Sequence, residues 1–244
     1  MKLNNNKAVV TGASTGIGRA ISTELAKDGC FVALLARSEN GLRKTLKLIK
    51  AAGGVGDIYI SDLSRLESIN NSASKIKKDL KHINLLINVA GIWHGKNEVY
   101  AGIDFETFFQ KVIIDTYMVG MIAPTLLAHA LVPLMPKGSH IVNISGTFES
   151  GAKGWLPYYV SKRAIEDLTI GLADELKEKQ IYVNCISPSD TATESYKKYF
   201  PQYIKDAISP ETIAKFTVEL CRKKESGKIY VIKKDKQPYE GFHF

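Results

Sequence analysis

Tyr158 and Lys162 stand four residues apart in the run Tyr158-Tyr-Val-Ser-Lys162, whose surroundings read as helix. Residues at this spacing share one helix face, so the phenol and the ammonium stack about one turn, ~6 Å, apart. A phenol with a pKa near ~10 is protonated at neutral pH. A neighbouring ammonium favours the phenolate, lowers that pKa and makes the tyrosine a usable proton donor and acceptor. Tyr159 lies next door, but its partner four residues on is Arg163, so Tyr158 is preferred. The pair alone carries little weight, because Tyr and Lys fall four apart often by chance.

A second group of residues could hold a phosphate. Thr11-Gly-Ala-Ser-Thr-Gly-Ile-Gly18 lies between an apolar run and a segment with helical periodicity. Gly12 permits a sharp turn, Gly16 lets the backbone approach a pyrophosphate, and Gly18 allows close helix packing. The helix N-terminus adds free N–H groups and a partial positive charge, to which Ser14, Thr15 and Ile17 contribute main chain. The spacing is G-x-x-x-G-x-G, and a glycine-rich turn by itself is weak evidence; its place at the first strand-to-helix junction raises it. The next apolar run ends Leu34-Leu-Ala-Arg37-Ser38, with no acid to hold ribose hydroxyls. Arg37 is suited to a 2′-phosphate and to stacking on adenine, the alternative being a solvated surface arginine. NADP(H) is therefore expected, with NAD(H) as the alternative, and Lys162 is placed to hydrogen-bond a ribose.

Positioning these groups requires an alternation of strands and helices. Strands are expected at Lys7–Thr11, Phe31–Leu35, Val55–Ile60, Leu85–Val89, Ile141–Ile144, Ile181–Ile186 and Lys228–Ile232. Helical spacing joins Ile17, Ala20, Ile21, Glu24 and Leu25, then Leu42, Leu46 and Ile49, then Leu66 through Leu80, and a long stretch from about Asp104 to Met135. Ala164, Ile165, Leu168 and Leu172 mark another helix, and Ser209-Pro-Glu-Thr212 reads as a helix start with a serine cap. Strands apolar at successive positions are covered on both faces, as in parallel sheets. The expected fold is α/β: a doubly wound, mainly parallel, Rossmann-like sheet with helices on both faces, in one domain over residues 1–244.

The chain has 244 residues, 45% apolar and 24% charged, which excludes a disordered or fibrous protein. Its formal charge is +8, with lysines spread along the chain apart from a cluster at Arg222–Lys236. That cluster reads as solvated surface, so neither nucleic acid nor an anionic membrane is expected as a partner. Cys30, Cys185 and Cys221 are far apart and read as reduced core thiols, with no metal site. Met118 to Met135 carries no formal charge; with Gly120, Pro124, His129 and Pro133 in it, a buried or oligomer-facing helix is the better reading than a membrane span. The polar first residues lack a signal-peptide pattern, and a cytoplasmic location is expected.

Taken in order, these residues resemble the classical short-chain dehydrogenase/reductase family. Thr11 to Gly18 match its cofactor loop, Asp62-Leu63 the pair that meets adenine, and Asn88-Val-Ala90-Gly91 its N-N-A-G strand end. Tyr158 and Lys162 match the catalytic pair, and Pro188 to Thr193 its P-G-x-x-x-T segment, where Thr191 and Thr193 would lie near the nicotinamide carboxamide. The resemblance implies hydride transfer between the cofactor and a small-molecule carbonyl or alcohol, with Tyr158 as acid/base, Lys162 lowering its pKa and holding the ribose, and a serine on the fifth strand bonding the reacting oxygen. It also implies a homotetramer or homodimer built on the long central helices.

The departures are specific. Strand alignment puts Gly146 where the serine falls, whereas counting back thirteen residues from Tyr158 favours Ser145; Ser150 is a weaker candidate, and Ser145 is chosen. Tyr117 stands where the family has an Asn in the central helix, Ser189 replaces a Gly, and the final strand lacks a G-G pair. These departures keep a second reading open: a cofactor-binding sensor or scaffold with little turnover. His94, Glu149, Trp155 and Tyr196 are candidate substrate residues, although an exposed or satisfied His94 is the simpler reading. Residues 189–208 form the expected lid, whose aromatics either pack together or close an apolar pocket.

Overall fold

The computed structural model describes residues 3–148 and 151–241. Its centre is one eight-stranded sheet in the order β3-β2-β1-β4-β5-β6-β7-β8. The strands are β1 (Lys7–Thr11), β2 (Phe31–Ala36), β3 (Val55–Ile60), β4 (Leu85–Asn88), β5 (His140–Ile144), β6 (Tyr182–Pro188), β7 (Lys228–Ile232) and β8 (Tyr239–Glu240). The first seven are parallel and β8 closes one edge antiparallel to β7. This is the single-domain α/β, Rossmann-like fold that the alternation of apolar runs and helices implies. The two-residue β8, in a polar segment with Pro238, is too short and too polar to register as a strand in the sequence.

Helices cover both faces because the central strands present apolar side chains to both sides. Ala8 and Val10 face α1 (Gly16–Lys27), α2 (Glu39–Ala51) and α8 (Pro210–Leu220), where Ile21, Leu25, Leu42, Ile49, Ile213 and Val218 are buried. Val9, Leu35 and Leu86 face α3 (Leu66–Leu80) and the central helix, with Ile69, Ile76, Leu127 and Leu131. Each such side chain contributes roughly 1.5–3 kcal/mol of burial. Ser209 caps α8 as its sequence suggests, its hydroxyl accepting from the Thr212 N–H at 3.1 Å.

The central helix begins at Gln110, later than the periodicity implies, because Phe105–Thr107 forms a separate 3₁₀ turn. It runs as α4 (Gln110–Tyr117), a π turn at Met118–Ile122, and α5 (Ala123–Leu131). The segment Gln110–Leu134 is long and apolar enough to cross a membrane, but Val119, Gly120, Ala123, Pro124, Leu127, Ala128 and Leu131 are buried within the fold. Gly120 lets it approach α6 (Leu156–Glu175) closely: a Cβ there would stand 2.8 Å from the Ser161 side chain. β4 ends one residue early, since the N–H groups of Val89 and Ala90 turn to the Thr11 hydroxyl at 2.9 and 3.2 Å.

Candidate active site

The strand order reverses between β1 and β4, and a crevice opens there beyond the strand ends. A cavity of about 1040 Å3 occupies it, running from the α1 N-terminus past Tyr158 to the segment after β6. The phosphate-loop residues Gly12, Ser14, Thr15, Gly16, Ile17 and Gly18 line one end. Gly12 has φ +64°, and a Cβ on Gly18 would stand 2.3 Å from the Gly12 carbonyl oxygen, so only glycine lets helix and turn meet. Thr15 is the N-cap in extended conformation and makes no side-chain cap bond, and no acid lies in the first turn. The free N–H groups of α1 therefore face the cavity, as an anion site requires.

Arg37 is exposed at the cavity edge, beside Ser38. The Ser38 hydroxyl is engaged as the cap of α2, accepting from the Gly41 N–H at 3.2 Å. Of the Asp62–Leu63 pair, Leu63 lines the cavity and Asp62 fronts a neighbouring groove. The Asp62 carboxylate accepts from the Ser64 N–H and hydroxyl at 3.1 and 2.8 Å. Burial works to raise its pKa, but these bonds and the charges of Arg37 and Arg65 hold it below the ordinary value. Asn88 is not at the cavity: it is buried, its Nδ2 donates to Asn143 Oδ1 at 2.9 Å, and Asn143 Nδ2 donates to Thr169 at 2.9 Å. It thus ties β4 to β5 and α6 beneath the site. Ala90 and Gly91 do line the cavity, and a Cβ on Gly91 would lie 3.4 Å from Lys162 Nζ and 3.5 Å from the Tyr158 ring.

Tyr158 and Lys162 both face the cavity, the ammonium 5.3 Å from the phenol ring centre. Lys162 is buried, and its Nζ donates to the Ile144 carbonyl at 2.8 Å. Burial pulls its pKa down to about 8, against the opposing pull of Cys185 and Glu166. Burial also pushes the Tyr158 phenol well above the usual range. Burial of the phenol thus works against the lowering expected of the Lys162 ammonium.

Ser145 lines the cavity too, but its hydroxyl is engaged elsewhere. Its hydroxyl points to α6 and donates to Glu166 Oε1 at 2.7 Å. Glu166 is fully buried and also pairs with Arg163 at 3.1 Å, so this hydroxyl satisfies a buried carboxylate. Asn143, two residues earlier, reaches Thr169 on the same helix, as the period-two alternation of a strand dictates. Gly146 is then the residue turned the other way, in agreement with the strand alignment. Glu149 and Ser150 lie outside the described residues.

Pro188, Thr191 and Thr193 line the cavity opposite Tyr158. Thr191 donates to the Ser189 carbonyl at 2.9 Å, and Thr193 caps α7 (Glu194–Tyr199) by accepting from the Tyr196 N–H. His94, Trp155 and Tyr196 belong to an aromatic wall. Trp93 stacks on Phe200 at 6.1 Å, Trp155 lies 6.2 Å from Tyr158 and from Phe200, and Phe148 lies 5.7 Å from Tyr158. The His94 Nδ1 stands 2.6 Å from the Gly95 carbonyl, so that ring is held locally. Tyr196 is pushed up by burial and by its bond to Asp190. Where Tyr117 stands in place of Asn, the helix still distorts into its π turn.

Two features were not legible as parts of the site. Glu194 accepts from the Thr15 hydroxyl at 2.8 Å and pairs with Arg19 at 2.5 Å, tying α7 to the phosphate loop. Glu194 follows a helix cap, where an acid is commonplace, and nothing local points to partners so distant. Lys233, Lys234 and Lys236 reach the cavity mouth near Asp206. Lys234 Nζ donates to the Lys205 carbonyl. Among the described residues no group of three His, Cys, Asp or Glu is arranged to hold a metal ion.

A family model described as short chain dehydrogenase matches residues 6–204. An uncharacterized oxidoreductase of Staphylococcus saprophyticus is 30% identical over 220 residues, covering 85% of this chain and 91% of its own. A short chain dehydrogenase of Burkholderia cenocepacia, solved with NADP, superposes with TM-score 0.84 at 23% identity, covering 96% of this chain and 98% of its own. The L-sorbose reductase of Gluconobacter frateurii, solved with NADPH and L-sorbose, gives 0.83 at 23% identity, covering 96% and 97%. With the family match spanning most of the chain, and the glycine loop and Tyr–Lys pair in its crevice, this protein belongs to the short-chain dehydrogenase family of oxidoreductases.

Proposed function

We propose that the protein is an NADP(H)-dependent oxidoreductase that interconverts a carbonyl and an alcohol on a small molecule with an apolar body. One observation carries this reading: a single cavity joins the bare N-terminus of α1 to Tyr158 and Lys162. The residues fit a dinucleotide. The α1 N–H groups would hold the pyrophosphate, Leu63 would pack on adenine, and Arg37, with no acid at Ala36 or Ser38, would meet a 2′-phosphate. The bound nicotinamide supplies or accepts the hydride.

The chain's own residues do the rest. Tyr158, kept protonated by burial, donates its phenolic proton to the developing alkoxide in reduction and takes the alcohol proton in oxidation. Lys162 exchanges its bond to the Ile144 carbonyl for a ribose hydroxyl, and its charge stabilises the phenolate left behind. Trp93, Trp155 and Phe200 form an apolar wall suited to a ring or chain, and residues 189–208 close over it to exclude water. The half-buried apolar positions of α4 and α5 are the surface on which a second copy would pack, giving a homodimer or homotetramer by light scattering.

The second reading, a cofactor-binding sensor with little turnover, draws on Ser145 being committed to Glu166. A titration with NADPH and NADH, followed by NADPH oxidation with a panel of carbonyl compounds, separates the two. Tight NADPH binding with turnover supports the enzyme; binding without turnover supports the sensor; no nicotinamide binding defeats both.

A further inference from the structure

With Ser145 turned to Glu166, the enzyme reading lacks a second donor to the reacting oxygen. The main chain beyond β5 offers one. The Ser145 N–H donates to the Ile186 carbonyl at 2.9 Å and the Thr147 N–H to the Pro188 carbonyl at 3.0 Å. These bonds continue the parallel ladder with β6 in steps of two residues, so the backbone stays extended through Thr147. In such a ladder, alternate residues present N–H and C=O to opposite edges. Gly146 and Ile144 therefore face the other edge, toward β4.

On that edge β4 has already ended. Its last partner residue is Asn88, paired with Asn143, and the chain then turns away as Val89 and Ala90 bond to Thr11. The Ile144 carbonyl, left without a strand partner, is taken by the Lys162 ammonium. The Gly146 N–H, the adjacent donor on the same edge, meets no acceptor among the described residues. Gly146, Tyr158, Lys162 and Gly91 line the same cavity. The space above Gly146 is open, since a Cβ there would meet only the Pro188 carbonyl, at 3.9 Å. An unpaired backbone donor on a cavity that a phenol and an ammonium also line is a site for an oxygen atom.

We propose that the main-chain N–H of Gly146 donates the second hydrogen bond to the reacting substrate oxygen, and that Ser145 is structural. This rests on the oxidoreductase reading above and deepens it. In reduction the oxygen gains negative charge as hydride reaches its carbon. The Gly146 N–H holds that oxygen while Tyr158 delivers the proton, and no bond of the Gly146 amide breaks. A backbone donor needs no rotamer to be fixed, so it is pre-set for the oxygen.

The test compares three variants by NADPH oxidation with one carbonyl substrate, alongside NADPH affinity and melting temperature. Ser145→Ala removes a bond to buried Glu166; it lowers the melting temperature and costs less than about tenfold in kcat/KM. Gly146→Pro removes the N–H and lowers kcat by about 10²–10³, the loss typical of one oxyanion donor, while NADPH still binds. If Gly146→Pro does not fold, Gly146→Ser decides. It adds a hydroxyl beside an existing donor and raises kcat/KM by about threefold at most. A fall of about 10² in Ser145→Ala with binding intact, or a rise above about tenfold in Gly146→Ser, would overturn the proposal. Should the wild type turn over and a folded Gly146→Pro keep its kcat, the backbone donor falls and the enzyme reading stands. If neither turns over, both fall together.

Discussion

Arg37→Glu should invert the cofactor preference. Among the described residues that line the cavity, Arg37 is the cation at the end of β2, and Ala36, Arg37 and Ser38 include no acid. A charge-assisted hydrogen bond contributes roughly 1.5–3 kcal/mol. Arg37 is exposed, so the low end applies, about 1.5 kcal/mol for the lost contact. Glu places a negative charge near the 2′-phosphate, adding repulsion of about 1 kcal/mol at ~4 Å in water and more at a protein surface. The sum, about 2.5–3 kcal/mol, corresponds to a change of roughly 70–150-fold in the NADPH-to-NADH ratio of kcat/KM. The same carboxylate can accept from ribose hydroxyls, so NADH use should hold or improve. The assay is the ratio of the two kcat/KM values in wild type and variant, at low and at high salt. The wild-type advantage for NADPH should shrink with salt, because exposed charges are screened. An unchanged ratio, or an equal loss for both cofactors, would refute the assignment of Arg37 to the phosphate.

Other expectations follow from particular contacts. Gly18→Ala puts a methyl 2.3 Å from the Gly12 carbonyl oxygen, so the loop must shift; NADPH affinity should fall at least tenfold by titration, and unchanged affinity would contradict the loop's role. Glu194→Gln weakens the tie between α7 and the phosphate loop. Because exposed pairs contribute little, hydrogen exchange of the 194–199 amides should quicken by up to about fivefold; no change would show that the pair does not hold the lid. His140 is buried, with its Nδ1 unpartnered among the described residues, and burial lowers its pKa from 6.5 to about 4. Its neutral form is favoured in the fold, so the stability it contributes is present above pH 6.5 and lost as pH falls through about 4. The loss is about 3 kcal/mol, and denaturant melts of wild type against His140→Leu should differ in slope over that window; parallel slopes would count against it.

The fold was legible because its signals are local. Glycines at a strand-to-helix turn, the Ser209 cap and the Tyr158–Lys162 spacing are each set within one or two helical turns of sequence. Strand interiors such as Ala8-Val-Val10 carry apolar residues to both faces, and the parallel sheet follows. The site was legible only where its parts share an element. The orientation of Ser145 depends on Glu166, twenty-one residues on; counting residues back from Tyr158 assumes a loop length, whereas the alternation Asn143–Ser145 toward α6 fixes the face. Asn88 came in with the resemblance to the N-N-A-G segment as a cofactor residue, yet its Nδ2 donates to Asn143 across the sheet. Desolvation of Tyr158 and Lys162 depends on packing around the cavity, which spacing does not encode. The pairing of Glu194 with Arg19 joins opposite ends of the chain and exists only in three dimensions.

The central claim is that Tyr158 moves the proton in a hydride transfer run by this chain. It is tested most directly by single-turnover NADPH oxidation with a carbonyl substrate in wild type and Tyr158→Phe. Loss of the acid should lower the rate by about 10²–10⁴, while NADPH affinity stays within about threefold. Equal rates in the two proteins would contradict the account.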